Sequence, residues 1–161
     1  MPFTSESAET LREIARAFVS KRCNQWITRE WDEQRHYPKD LFDEIAALGW
    51  FGIGLDEERG GSGGDALDLI VLCEELGRGS TDLVACLSLT ASGARVLSNH
   101  GTEEHKTVLI PQLMDGSKRL SISISEPDAG SDSASLTASA VKRDEHTYVA
   151  NGQKTWCEAA N

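Results

Sequence analysis

Residues Ile122 to Asp132 read ISISEPDAGSD, and the fold turns on how this stretch is read. Ser121, Ser123 and Ser125 alternate with Ile122 and Ile124, which is the period of a strand with one hydroxyl-bearing face and one apolar face. Glu126-Pro127 stops that strand, because Pro127 has no N–H for a ladder and holds its predecessor extended. Asp128 to Asp132 follow as a turn of small residues, in which Gly130 allows a positive φ and a close approach of the backbone to a ligand. Main-chain N–H groups and serine hydroxyls at a strand end suit the polar edge of a planar heterocycle, or a diphosphate. The plain alternative is a strand-turn-strand that binds nothing.

Downstream the period stays at two. Leu136 to Lys142 and Thr147 to Ala150 read as strands, the second continuing past the Asn151-Gly152 turn to Trp156. Upstream, as far as about residue 117, the period is helical. Leu11, Ile14, Ala15, Phe18, Val19 and Trp26 trace one inward face. Pro38 opens the next helix, with Leu41, Phe42, Ile45 and Leu48 inward and Gly49 as its stop. Asp65 caps a third helix carrying Leu67, Ile70, Val71 and Leu76. A fourth runs from Thr81 or Asp82 to about Asn99. Thr102 caps a fifth over Glu103 to Leu113, where Pro111 predicts a kink or an early end. The GGSGG run at Gly60 to Gly64 lacks the preceding strand and the Lys-Ser/Thr ending of a phosphate loop, so it reads as a flexible connection. Helices followed by strands, without alternation, give an α+β fold of two substructures.

Composition excludes several function classes. The 161 residues carry a formal charge of −10, with no basic stripe to neutralise the phosphates of a nucleic acid or an anionic membrane. No apolar run approaches the length of a membrane span. The start MPFTSESAETL has neither the basic and apolar regions of a signal peptide nor the arginines of a transit peptide. Cys23, Cys73, Cys86 and Cys157 lie far apart, without metal or redox spacing, and a reducing cytoplasmic setting is expected. His36, His100, His105 and His146 are likewise scattered, so no metal site is expected.

A second stretch, NGQKTWCEAAN at Asn151 to Asn161, combines with the first. An S-E-P-x-A-G-S-D turn followed by N-G-x-K-x-W resembles the flavin-binding middle domain of the acyl-CoA dehydrogenases. GWFGIGLDEERGGSGGD (Gly49 to Asp65) is similar to that family's link between helices, and GTEEHKTVLIPQLMDGSKRL (Gly101 to Leu120) to its last N-terminal helix. Four motifs in the family's order cover nearly the whole chain. The resemblance implies an all-α N-terminal domain over residues 1–117 and an incomplete antiparallel β-barrel over 118–161. The family's C-terminal four-helix bundle has no counterpart here. A piece of a longer protein, a broken gene and one half of a split assembly all fit that reading.

The resemblance also implies the site. Ile122, Ser123, Ile124 and Ser125 would meet the ring of FAD, with Gly130 and Ser131 beside the cofactor or the phosphopantetheine arm of an acyl thioester. Trp156 would lie on one face of the flavin, followed by Cys157 and Glu158 at its edge; the alternative for Trp156 is a core aromatic at a strand end. Ser88 and Ser92 on the fourth helix would border the acyl group, or simply let helices pack closely. Two residues depart from the family. Glu158 stands where a threonine is usual, and a carboxylate there disfavours reduction of the ring unless protonated or turned away. Asp128 stands where glycine is common.

By resemblance the reaction is α,β-dehydrogenation of an acyl group on CoA or a carrier protein, with hydride transfer to flavin. The catalytic base belongs to the family's bundle, so no catalytic residue is assigned. An electron-transferring flavoprotein partner and a homo-oligomer are implied in the same way. Two other readings stay open: a monooxygenase or nitroalkane-oxidase relative of the same fold, and a non-catalytic subunit or remnant.

Overall fold

Six α-helices and a two-stranded antiparallel sheet lie within residues 5–157, the part of the chain that the computed structural model describes. They divide into two units, the first ending at Leu120 and the second beginning at Ser121.

Caps and punctuation set most of the helices. Ser5 opens α1 (Glu6–Arg22) by accepting from the Ala8 N–H, with Glu6 and Glu9 at its positive end and Lys21 and Arg22 at its negative end. The chain then breaks at Cys23, and Asn24 caps a separate α2 (Gln25–Gln34) by accepting from the N–H groups of Trp26 and Ile27. Trp26 therefore does not continue the face of α1; it is 72% exposed on a helix with no buried residue. Pro38 precedes α3 (Lys39–Ala47), which buries Leu41, Phe42 and Ile45, whereas Leu48 is half exposed beyond its end. Asp65 and Asp68 form a reciprocal capping box at the start of α4 (Ala66–Gly77). The helix α5 (Thr81–His100) opens at Thr81, with Ser80 as its cap.

The last helical stretch is where Pro111 acts. Thr102 accepts from the His105 N–H at 3.2 Å and His105 Nδ1 accepts from the Thr102 N–H at 3.3 Å, and a π turn over His105–Leu109 leads into α6 (Ile110–Met114). A proline has no N–H and collides with the carbonyl four residues back; widening the preceding turn accommodates it without a stop.

The core of this unit forms where α1, α3, α4, α5 and the Trp50–Gly52 turn meet. Phe42 and Phe51 pack with centroids 4.7 Å apart, and Phe18 meets Trp50 edge-on at 5.2 Å. Leu72, Leu76 and Leu87 are fully buried beneath them, while Ile14 and Ile70 face out. Glu75 is buried among the leucines and receives Arg16 through Nη2 at 2.7 Å and Nε at 3.1 Å, and Arg12 at 3.1 Å. These arginines hold its carboxyl below the ordinary range and tie α1 to α4. The Gly60–Gly64 run is not a loose linker. Gly54 N–H donates to Gly63 O at 2.8 Å, Gly63 N–H to Leu55 O at 3.0 Å, and a Cβ on Gly61 would lie 2.0 Å from Leu55 O. Glycine serves close backbone approach here.

In the second unit β1 (Ser139–Lys142) pairs antiparallel with β2 (Tyr148–Asn151), in a register that sets Ser139 opposite Asn151 and Lys142 opposite Tyr148. Leu120 to Ser125 is not a ladder strand. Among the described residues no helix is long and apolar enough to cross a membrane.

Candidate functional site

Beyond β2 the chain turns at Gly152, whose φ is +146° and where a Cβ would lie 2.4 Å from that of Ala138, and then runs back beside Ser123–Ser125. Three contacts register the two segments. Thr155 N–H donates to Ser125 O at 2.9 Å, Lys154 Nζ to Ile124 O at 2.9 Å, and Ser123 Oγ to Cys157 Sγ at 3.0 Å. The pairing is antiparallel, with 123 beside 157 and 125 beside 155. It stops short of a ladder because Trp156 has φ +58°, a left-handed conformation that a pleated strand cannot accommodate.

Trp156 itself is 87% exposed. It is not a core aromatic, so an indole is presented to the outside by a backbone that bulky residues rarely adopt. Next to it the Thr155 hydroxyl is buried and has no hydrogen-bond partner. Ile122 and Ile124 are both partly open to solvent, so the face that period two marks as apolar is not a buried one, while Ser125 is half-buried. The stretch from Ile122 to Ser125 is thus joined to the one from Thr155 to Cys157.

Glu126, read from the sequence only as the end of a strand, is the polar centre of this unit. Just 7% exposed, its carboxylate accepts from Thr137 N–H at 2.7 Å, Thr137 Oγ1 at 2.9 Å, Ala138 N–H at 2.9 Å and Lys154 Nζ at 2.9 Å. The Thr137 amide, then Lys154 and the Ala138 amide, hold the carboxyl down to about 2 against the opposing effect of burial. A glutamate at a strand end and a lysine in the N-G-x-K-x-W stretch are the sequence signal for this pair; only the returning chain shows that they meet.

Gly130 and Ser131 sit farther along the same loop. Glu126 and Ala129 exchange main-chain bonds at 2.9 and 3.2 Å, so the reversal is complete before Gly130. Gly130 does not use the positive φ that glycine allows, and a Cβ there would meet nothing within 4 Å. Both residues are exposed on an open stretch of backbone. Glu158 lies outside the described residues.

In the helical unit Ser88 and Ser92 lie one turn apart on α5. Ser88 Oγ donates to Ala85 O at 3.1 Å, and Ser92 is exposed. Their neighbours Thr90 and Gly93 are buried, and a Cβ on Gly93 would lie 2.3 Å from Leu120 Cδ1, so those two small residues serve close packing. No cluster of three or more His, Cys, Asp or Glu side chains able to hold a metal occurs among the described residues.

Known proteins resemble this chain throughout. The family model for the acyl-CoA dehydrogenase N-terminal domain matches residues 5–117. Subunit CarC of the caffeyl-CoA reductase-Etf complex of Acetobacterium woodii is 34% identical over 98% of this chain and 42% of its own length. A solved structure of glutaryl-coenzyme A dehydrogenase with glutaryl-CoA superposes with a TM-score of 0.87 at 32% identity, covering 98% of this chain and 40% of that one. The glutaryl-CoA dehydrogenase of Mycobacterium smegmatis in complex with FADH2 also gives 0.87, at 27% identity, covering 96% and 39%. The chain thus spans about 40% of the length of the proteins it matches.

Proposed function

The chain belongs to the acyl-CoA dehydrogenase family, and from that premise we propose that its second unit is part of an FAD site in an oxidoreductase acting on acyl thioesters. Residues 1–117 are the helical domain of such an enzyme, and residues from 118 onward begin its flavin-binding β-domain. The observation that carries the reading is Trp156, held left-handed and bare beside a hydroxyl-lined edge. A flavin ring would cover that indole, which is 87% exposed among the described residues, and the orphaned Thr155 hydroxyl would gain a polar neighbour. The residues present therefore fit the cofactor.

Ile122, Ser123, Ile124 and Ser125 would offer main-chain and hydroxyl groups to its ring, with Cys157 and Glu158 at the margin. Gly130 and Ser131 would hold its phosphates or the pantetheine arm of the substrate. Bound FAD would supply a hydride acceptor, while a base removes the proton from Cα of the acyl chain. No described residue is assigned as that base. Ser88 and Ser92 give α5 a small, polar face suited to an acyl group. An electron-transferring flavoprotein is the partner that fits the Etf complex of the Acetobacterium woodii relative, and a homo-oligomer is proposed on the family resemblance alone. That relative's name as a reductase also favours a second reading, in which the same site delivers hydride to an unsaturated thioester.

The test is a titration of the purified 161-residue chain with FAD, read by flavin absorbance and by quenching of flavin fluorescence. Uptake with a quenched, shifted spectrum is expected, and Trp156→Ala should weaken it by about tenfold or more, given about 1–3 kcal/mol for stacking on an aromatic face. Equal uptake by the wild type and Trp156→Ala would overturn the reading.

A further inference from the structure

We propose that Lys154 and Glu126 are a positioning pair, whose bridge sets where Trp156 and the Gly130–Ser131 loop are presented to the flavin. The inference rests on the FAD reading above and goes beyond it, because neither side chain is asked to touch the cofactor.

One carboxylate joins three segments. Its bonds from Thr137 N–H, Thr137 Oγ1 and Ala138 N–H close the base of the loop that carries Gly130 and Ser131 and fix it to the start of β1. Its bond from Lys154 reaches the segment that carries Trp156, and the same ammonium caps Ile124 O at 2.9 Å. Lys154 thus ties the strand-end backbone and the loop base to one point, two residues before the indole. On the far side of Trp156 the chain is held again, by Ser123 Oγ on Cys157 Sγ at 3.0 Å.

A left-handed tryptophan relaxes unless both flanks are fixed, and these anchors are those flanks. Apolar packing cannot take over this role. Ile122, Ile124 and Trp156 are all exposed, so few buried apolar contacts register the segment, and a directional ion pair sets register where packing does not. The pair is well shielded, with side chains 29% and 5% exposed for Lys154 and Glu126.

The experiment compares Lys154→Met, which keeps length and loses both bonds, with Lys154→Arg, which retains a charged donor, in the full 161-residue chain. Two readouts are taken. In the ligand-free protein, amide exchange at Thr155 should speed up at least about tenfold in Lys154→Met, while the Ser139–Asn151 ladder is unchanged. In the FAD titration, Lys154→Met should weaken uptake roughly 10- to 100-fold, the range that a displacement of about 1 Å can produce at a preorganised site. Lys154→Arg should restore most of both.

Unchanged Thr155 exchange in Lys154→Met overturns the proposal, as does unchanged FAD affinity in a chain that binds FAD. Loss of the β1–β2 ladder in the same variant also overturns it, since the pair would then merely hold the fold. Should the wild-type chain take up no FAD, the flavin reading fails, and Thr155 exchange still decides whether Lys154 positions the Trp156 segment.

Discussion

Holding a tryptophan left-handed costs about 1–3 kcal/mol, and leaving its ring in water forgoes the burial that usually compensates an aromatic side chain. Trp156 bears both costs while Lys154, the Thr155 N–H and Cys157 hold the chain on either side of it, which is how a preorganised contact residue differs from a disordered one. The carboxylate that anchors this arrangement also sets its dependence on pH. Glu126 titrates near 4.5 in a free chain and at about 2 when folded, so its contribution is complete above about pH 4.5 and is lost as pH falls toward 2. Exchange at Thr137 and Thr155 should therefore accelerate between about pH 4.5 and 2, relative to its intrinsic rate, and Glu126→Gln should abolish that limb. A profile that is flat in the wild type would count against the bridge. Trp156 could be picked out from sequence because its neighbours form a recognisable motif. Glu126 could not, since its burial depends on Thr137 and Ala138 from one stretch of chain and Lys154 from another arriving together. Gly130 was legible as a small residue but not in its φ, because the Glu126–Ala129 pair completes the turn before it.

Among the elements, those whose ends carry a chemical signal are the ones that sequence reveals. Asp65 before α4, Pro38 before α3 and Gly49 after it are of this kind. The helix α2 is not, because the break at Cys23 looks like continuing helix and the helix that follows buries no residue. The π turn before α6 shows how a local rule is overridden. Proline in a helix interior costs about 3 kcal/mol, yet Pro111 falls at the first turn of α6, where its missing N–H is tolerated. Ile110 and Leu113 fix the register instead, being buried together with Leu55 and Ala94. Pro111→Ala should accordingly change stability by less than about 1 kcal/mol, whereas Ile110→Ala should cost about 2–5 kcal/mol, both read by urea unfolding. At the α1–α4 contact Glu75→Gln should cost about 2 kcal/mol, since Arg12, Arg16 and Arg78 lose their buried partner but can turn to solvent. A near-neutral result there would mean that apolar packing alone joins the two helices.

At the scale of the molecule, the two units are stabilised differently. The first encloses nearly all the buried apolar side chains, from Ala8 through Leu113, whereas β1 and β2 have no buried residue. A lone two-stranded hairpin is at best marginally stable in water, so the second unit depends on its polar bridge and on whatever covers its strands. Val141, Tyr148 and Val149 are 62%, 61% and 42% exposed, and among the described residues each strand pairs only with the other, leaving outer edges open. Bare apolar strands with free edges associate. The isolated chain should therefore self-associate as its concentration rises, and light scattering should register it. Val141→Lys should suppress that association while moving the unfolding free energy of the helical unit by no more than about 0.5 kcal/mol, because a charge on an exposed strand repels a second copy without touching the core. If the chain stays monodisperse at every concentration reached, or if Val141→Lys associates as readily as the wild type, the exposed strands are not the surface through which copies meet. Association that persists in Val141→Lys would run through other exposed apolar side chains, of which Trp156 in the second unit and Trp26 of α2 are the barest and the next to substitute.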